Sequence, residues 1–207
     1  GGILKVDGAV GIVALKSLHN GLAIIAKNGV WMLRGGSDEG FKSTSYEVTK
    51  ISGFGCLYPT SVVGVDTSML YWSEVGVISI AQDQFGQYKA ENISEATVQT
   101  LYNDYISKKP KSVVGVFDSY EKKVRWIVRE ISSTHSEELV LDYSLGSFSK
   151  NVYETISSNL PRIVGVINVP FYRVDSEVSG LSYSSETNYL TVLREDGGGV
   201  EVTFASN

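Results

Sequence analysis

Few residues in this 207-residue chain are of the types that carry out catalysis or bind metals. It has two histidines, His19 and His135, and one short group, His-Ser-Glu-Glu at 135–138, that could contact a metal ion. Metal sites need three or four converging ligands, so we predict that this group belongs to a polar, exposed loop over 131–138. The single cysteine, Cys56, excludes an internal disulfide and a thiolate zinc cluster and is predicted to be a buried small hydrophobe.

Two aspartates are the strongest candidates for a ligand site. Asp66 and Asp118 each follow a copy of one apolar motif, so they could line a channel and bind a cation or a substrate. Asp in such a position usually starts a turn by bonding back to the backbone. Asn168 follows another copy and nothing equivalent follows the first, which would leave the ring incomplete. We therefore predict turns at these positions.

Other catalytic motifs are missing or incomplete. Gly53-Phe54-Gly55 begins like a nucleotide-binding fingerprint, but Tyr58 replaces its third glycine and no βαβ pattern surrounds it. No G-x-S-x-G nucleophile motif occurs. We predict no catalytic, cofactor-binding or metal-binding residue, no cofactor, and a protein that is not an enzyme.

The three tryptophans, Trp31, Trp72 and Trp126, each lie inside an apolar segment. Burying one is worth at most about 4 to 6 kcal/mol, at about 25 cal/mol per Å². A platform for stacking sugars would place tryptophans on loops, so we predict that these three pack between sheets.

Composition excludes several classes of protein. The net charge is −5, with 20% charged and 43% hydrophobic residues, which is ordinary for a globular protein. A surface that binds the phosphates of nucleic acids is usually basic, so the net negative charge argues against a nucleic-acid-binding protein. No apolar run approaches the roughly 18 residues needed to span a bilayer, and no signal peptide pattern opens the chain. Because the chain does not begin with Met, we expect a piece of a longer polypeptide.

A repeat of about 50 residues organises the chain. Ser61-Val62-Val63-Gly64-Val65 recurs identically at 112–116, and similar segments occur at 11–15 and 162–166. The starting positions 11, 61, 112 and 162 give spacings of 50, 51 and 50 residues. A period of this size is typical of β-propeller blades. We predict an all-β, β-propeller-like array of four-stranded antiparallel blades.

Apolar runs and turn residues place the strands within each repeat. Asn-Gly pairs at 20–21 and 28–29 are typical of tight hairpins, and Ser144-Leu145-Gly146 indicates a third hairpin. The predicted strands cover 12–15, 22–26, 30–33 and 45–51; then 62–65, 69–72, 77–80 and a polar strand ending at 92–94; then 113–117, 123–129, 139–143 and 148–156.

One inserted helix is predicted over 94–107, between the second and third repeats. Its apolar residues have helical spacing, Ser94 or Asn92 could cap its start, and Pro110 ends it. This stripe should lie against sheet edges; its members are Val98, Leu101, Tyr102, Tyr105 and Ile106.

The last part of the chain departs from the repeat. A weak strand is predicted at 171–174, Pro170 interrupts the strand pattern, and a final hairpin is predicted from 189–193 and 200–204 around 196–199. We predict blades over 1–160, about three repeats. Residues 161–207 form a degenerate fourth blade or begin a further β domain.

The order of several loose motifs from 11 to about 155 resembles the propeller region of tail nozzle proteins of short-tailed phages, the tail tubular protein B family. The motifs are Gly11-Ile12-Val13-Ala14-Leu15, Gly21 to Ala26, Gly29 to Leu33, Tyr58 to Val63, Leu70-Tyr71-Trp72-Ser73 before Gly76-Val77, Asn92-Ile93-Ser94, Glu138 to Tyr143 and Leu145 to Phe148.

The resemblance implies a virion structural protein of the phage tail. In that family a hexameric ring below the portal and adaptor continues the channel through which DNA leaves. It also carries surfaces for tail fibres. The implied partners are further copies of the chain and the tail adaptor and tail fibre proteins, with DNA passing without specific binding and no membrane. The resemblance brings no catalytic residues. Two alternatives stay open: a ligand- or glycan-binding propeller module, and a hydrolase of propeller type.

Overall fold

The structure, a computed structural model, describes residues 3–19, 21–35, 45–129, 135–154, 163–174, 184–194 and 199–202, with side chains for those up to 152 except 135 and 136. Within this part of the chain lie fifteen strands and one α-helix. The strands form three four-stranded antiparallel sheets and one three-stranded sheet. The predicted all-β class with four-stranded antiparallel sheets is confirmed.

Each of the first three sheets is a meander in which every strand pairs with the next one along the chain. Sheet 1 comprises β1 (Ile12–Leu18), β2 (Gly21–Ala26), β3 (Gly29–Gly35) and β4 (Tyr46–Ser52). Sheet 2 comprises β5 (Val63–Val65), β6 (Ser68–Trp72), β7 (Val77–Gln82) and β8 (Tyr88–Asn92). Sheet 3 comprises β9 (Ser112–Asp118), β10 (Lys123–Arg129), β11 (His135–Asp142) and β12 (Ser147–Glu154).

Sheet 4 comprises β13 (Ile163–Val174), β14 (Ser184–Arg194) and β15 (Gly199–Val202). The repeated motif overlaps the first strand of every sheet, that is β1, β5, β9 and β13. One repeat of the sequence therefore corresponds to one sheet.

The chain divides into two compact units, Gly1–Lys109 and Pro110–Asn207. The first unit contains sheets 1 and 2 with the helix, and the second contains sheets 3 and 4. The boundary expected near residue 160 stays a prediction. No helix in the described ranges is both long and apolar enough to cross a membrane.

Sheets 1 and 2 pack face to face in the first unit. Strand β1 lies beside β6, and β4 lies beside β8. The order of strands from first to last therefore has the same direction in the two stacked sheets. Each fully buried apolar side chain contributes about 1.5 to 3 kcal/mol. The shared core contains Ala23, Ile25, Val30 and Met32 from sheet 1 and Met69, Tyr71, Ile78, Ile80 and Tyr88 from sheet 2.

The opposite face of sheet 1 is covered by the N-terminal segment. Leu4, Val6 and Ala9 pack against a cluster that includes Trp31. Asn28, in the turn between β2 and β3, holds this segment: its Oδ1 accepts from the N–H of residue 10 at 2.8 Å and its Nδ2 donates to the carbonyl of residue 8 at 2.8 Å. The turn expected at 28–29 is present, and Asn28 also has this second role.

The helix α1 (Gln99–Ser107) begins five residues later than predicted, since 93–98 are turns. Its N-cap is Val98, and no side chain caps it. The predicted caps are wrong because both side chains serve the turn between β6 and β7. Ser94 Oγ accepts from the N–H of Val77 at 3.1 Å, and Asn92 Nδ2 donates to the carbonyl of Val75 at 3.0 Å.

The buried face of α1 packs on the end of β6. Tyr102 and Tyr105 are fully buried, with ring centroids 4.8 and 5.9 Å from that of Trp72. The Tyr102 hydroxyl donates to the carbonyl of Ser73, and burial raises the pKa of this tyrosine. The helix therefore contributes core to the first unit, as its apolar stripe predicted.

Sheet 4 differs from the other three. The run at 171–174, expected as a separate strand, belongs to the same 12-residue strand, β13, as the motif copy. Pro170 lies in β13 opposite Asn188, and β13 is an edge strand of its sheet. Edge strands tolerate proline because no ladder bond is needed on the open side. Positions 196–198 and 203–204 of the predicted final hairpin lie outside the described residues.

Candidate functional site

A cluster of charged side chains lies on one face of sheet 3. In β10, Arg125 points away from Val124 and Trp126, because side chains alternate along a strand. The pairing of Ile127 with Glu138 places Glu138 on the same face as Arg125. We call this group the Arg125 cluster; it consists of Asp118, Glu121, Lys123, Arg125, Glu138 and Asn151.

Arg125 is the centre of the cluster. Its Nη2 lies 2.7 Å from Glu121 Oε2, its Nη1 lies 3.5 Å from Glu138 Oε2, and its Nε lies 4.0 Å from Asp118 Oδ2. Asn151 Nδ2 donates to Glu138 Oε2 at 2.8 Å. These contacts link the β9–β10 turn to β11 and β12.

Arg125 and Glu138 are almost completely buried. Taking charges out of water is costly unless they are paired and hydrogen-bonded, and the planar guanidinium satisfies several carboxylates at once. Burial alone would raise the pKa of Glu121, but hydrogen bonds and charge from Lys123 and Arg125 outweigh this and hold that pKa below its usual value. The cluster is therefore suited to fixing strands in place.

The structure confirms the two predicted aspartate turns. Asp118 Oδ1 accepts from the N–H groups of Tyr120 and Glu121, both at 3.1 Å. Asp66 lies in the β5–β6 turn with φ of 48°, a left-handed conformation that Asp tolerates. The side chain of Asn168 lies outside the described ones.

The exposed loop expected over 131–138 is wrong for its last part. Residues from His135 belong to β11, and Glu137 and Glu138 are buried. Strand β11 is an inner strand of sheet 3, since it pairs with β10 on one side and with β12 on the other. Glu137 is balanced by Lys150, whose Nζ lies 2.5 Å from Glu137 Oε2.

The candidate ligands considered in the sequence do not come together as a metal site among the described residues. No group of three or more His, Cys, Asp or Glu side chains in that part of the chain could hold a metal ion. His19 lies exposed just after β1. The side chain of His135 and residues 131–134 are outside the described part.

The tryptophans and the cysteine are buried, but Trp31 and Trp72 do not pack between sheets as predicted. Trp31 packs with the N-terminal segment on the outer face of sheet 1, and Trp72 packs against α1. Trp72 and Trp126 are fully buried, and Trp31 is nearly so, with Lys50 Nζ 4.9 Å from its ring centroid. Burial raises the pKa of the Cys56 thiol to about 11.

Gly55 has a steric role in the linker between sheets 1 and 2. A Cβ atom there would lie 1.8 Å from the carbonyl oxygen of Lys27, whereas at Gly53 it would meet nothing within 4 Å. The short glycine motif at 53–55 therefore allows two backbone segments to approach closely.

Sequence reasoning missed Arg125, Glu138 and Asn151 as a cluster. A signal was present, since Arg125 interrupts an apolar run in β10 and Glu138 directly precedes another in β11. A charged residue inside an apolar strand needs a buried partner. The partner could not be identified without the strand register.

Comparison with known proteins gives no further guidance. No family model matches the chain, and no curated protein matches it.

Proposed function

We propose that the chain is a series of β-propeller blades and serves as a structural part of a phage tail nozzle. Copies of it would form a ring that continues the DNA-exit channel and binds neighbouring tail proteins. The chain has no catalytic role in this proposal.

The packing of sheet 1 on sheet 2 is the observation that carries the proposal. Blades of a propeller are four-stranded meanders that stack face to face around an axis. In the first unit two such meanders share one core, with β1 beside β6 and β4 beside β8. Each begins with a copy of the same motif, which supports the interpretation of the repeat as a blade.

The pairing of the buried charges and the net charge of the chain both fit a structural role. The buried charges of the Arg125 cluster are directed at one another and connect three strands and a turn. A net charge of −5 would repel passing DNA, because affinity for phosphates comes from cationic groups. The phage tail role itself is taken from the order of motifs from 11 to about 155, which resembles that of phage tail nozzle proteins.

Deleting the blade region from the phage that encodes it tests the function. We expect particles without complete tails in electron micrographs and a loss of plaque formation, both restored by the intact gene supplied from a plasmid. Infectious particles with complete tails would contradict the proposal.

The glycan-binding alternative has a separate test. Stacking on tryptophan is not available, since all three tryptophans are buried. We expect no signal for the purified chain on a glycan array. Reproducible binding of one glycan class would favour the alternative over a nozzle role.

A further inference from the structure

The N-terminal segment, residues 3–10, is held on sheet 1 by the turn between β2 and β3. Asn28 Oδ1 accepts from the N–H of Val10 and Asn28 Nδ2 donates to the carbonyl of Gly8, both at 2.8 Å. We call these two hydrogen bonds the Asn28 anchor. Beside them, the N–H of Lys27 donates to the carbonyl of Val10 at 3.2 Å. None of residues 3–10 belongs to a strand or a helix.

The other contacts of the N-terminal segment are weak. Leu4, Val6 and Ala9 pack on the outer face of sheet 1, but each is only half-buried. The ion pair of Lys5 with Asp7 is 3.7 Å long with both side chains 89% exposed, so water competes for both charges. Segments with few buried contacts open locally, at a lower free energy than the unit that carries them. The N-terminal segment should therefore open while sheet 1 stays folded.

The face under the N-terminal segment is apolar. Ile24, Trp31 and Leu33 are all buried there, and Leu4, Val6 and Ala9 are packed against them. Opening of the segment would expose these side chains together, and an exposed apolar face changes how a protein surface interacts. The Asn28 anchor therefore controls whether this face is covered.

Asn28 is followed by a glycine that the fold requires. A Cβ atom at position 29 would lie 2.5 Å from the carbonyl oxygen of Ser52, and the φ of Gly29 is 149°. Glycine has no side chain to shield its backbone nitrogen. This nitrogen is consequently well suited to attack the side-chain carboxamide of the residue before it.

The products of that attack are those of asparagine deamidation. A bond forms between the Gly29 nitrogen and Asn28 Cγ, the bond from Cγ to Nδ2 breaks, and Nδ2 leaves as ammonia with the proton of the Gly29 N–H. One water molecule then opens the cyclic imide. The result is an aspartyl or an isoaspartyl residue at position 28, and no oxidant or reductant is needed.

The Asn28 anchor and this reaction exclude each other. The carboxamide must turn toward the Gly29 nitrogen to react, and it cannot do so while it is bonded to Gly8 and Val10. A carboxylate formed at position 28 has no N–H to donate to the Gly8 carbonyl, because ionised carboxylates only accept. Two oxygens would then face each other where the anchor has a hydrogen bond, and an isoaspartyl residue would also lengthen the main chain within the turn.

We propose that Asn28 is a deamidation site that reacts when the N-terminal segment opens, and that the product keeps the segment open. The closed segment protects Asn28, and opening makes the reaction possible. Since the released ammonia is lost to solvent, the change is irreversible. This inference goes beyond the nozzle role and does not depend on it.

Peptide mass spectrometry of the purified chain, incubated at mildly alkaline pH, tests the protection. We expect deamidation at position 28 to be at least about tenfold slower in the folded chain than in urea. The double variant Leu4→Ser with Val6→Ser loosens the segment but leaves Asn28 and its partners in place. It should speed the reaction of the folded chain about threefold or more and leave the rate in urea unchanged.

Asn28→Asp places the aspartyl product in the chain directly. Hydrogen exchange of residues 3–10 should become about three- to tenfold faster, as expected for the loss of one hydrogen bond. Tryptophan fluorescence should shift to the red, because Trp31 lies under the segment. A urea midpoint close to that of the wild type confirms that the unit is folded, and the variant at Leu4 and Val6 provides the test if it is not.

Asn103→Asp is the matched control. Asn103 is exposed on α1, and its Oδ1 accepts from Gln99 Nε2 at 2.9 Å. The substitution introduces the same charge in the same unit but keeps an acceptor at that position. We expect it to leave exchange of residues 3–10 unchanged.

Three results would overturn the proposal. One is equal deamidation at position 28 in the folded chain and in urea, which would show that the anchor does not protect Asn28. Another is a reaction that the variant at Leu4 and Val6 does not accelerate, which would separate it from opening of the segment. The third is an Asn28→Asp variant whose exchange at 3–10 equals that of Asn103→Asp, which would show that the product does not release the segment.

Discussion

Replacing Arg125 by Met should destabilise the second unit strongly. Arg125→Met keeps the length and much of the volume of the side chain but removes the cation that lies 3.5 Å from the buried Glu138 carboxylate and 2.7 Å from Glu121. Breaking a buried pair by removing one partner costs about 3 to 5 kcal/mol, because a charge is left in the interior.

Lys123→Met provides the comparison for this substitution. Lys123 contacts the same Glu121 oxygen at 3.0 Å, but its side chain is 34% exposed. Pairs of this kind contribute about 0 to 1 kcal/mol, since water competes for both charges. Both variants remove a cation from Glu121, one at a buried and one at a partly exposed position. Their effects on the free energy of unfolding should differ by about 2 to 5 kcal/mol.

Urea unfolding measures the difference. With a slope of about 2 to 3 kcal/mol per M, Arg125→Met should lower the midpoint by about 1 to 2.5 M. Hydrogen exchange of peptides from β10 and β11 would locate the loss in sheet 3. A second substitution, Glu138→Met, should restore part of the stability, because the unpaired buried charge is then removed as well. Equal effects of Arg125→Met and Lys123→Met would refute the assignment of a buried ionic cluster.

Three further predictions concern the linker, the thiol and acid stability. Gly55→Ala should lower the free energy of unfolding by about 2 to 4 kcal/mol, because the added Cβ would overlap the backbone carbonyl of Lys27. Gly53→Ala, where a Cβ meets no neighbour, should change it by less than about 1 kcal/mol. Equal urea midpoints for the two variants would contradict this. Cys56, with its raised pKa and buried position, should react with a thiol reagent at pH 8 at least about a hundredfold more slowly than in urea; fast labelling of the folded chain would exclude burial. The pKa of Glu121 is lowered on folding, so its contribution to the free energy of unfolding is complete above its usual pKa of 4.5 and is lost as the pH falls below that value. Glu121→Gln should flatten this part of a curve of stability against pH. An unchanged curve would refute the pairing.

The sequence determined the repeating plan of the chain. The motif copies at 61–65 and 112–116 are short apolar runs followed by an aspartate turn, and such local patterns specify a strand and its hairpin without distant information. Most of strands β1 to β12 therefore lie close to where they were predicted, and the aspartate turns at 66 and 118 could be predicted from residue type. Strand β11 is the exception, because it begins at His135 rather than at the predicted residue 139. The burial of all three tryptophans followed from their apolar neighbours.

Tertiary structure decided the positions where a local rule competed with a distant partner. Asn92 and Ser94 look like helix caps, but the β6–β7 turn uses their side chains, so the helix begins later. Glu137 and Glu138 look solvated, but Lys150 and Arg125 on neighbouring strands allow their burial.

The same limit explains why the Arg125 cluster was not predicted. It depends on which residues face each other across strands, and a shift of one residue in register moves every side chain to the other face. A single sequence contains the alternation along each strand, but only the folded chain fixes the register between strands. Residues that are distant in sequence, such as Arg125 and Glu138, therefore become neighbours only through the pairing of strands in the sheet.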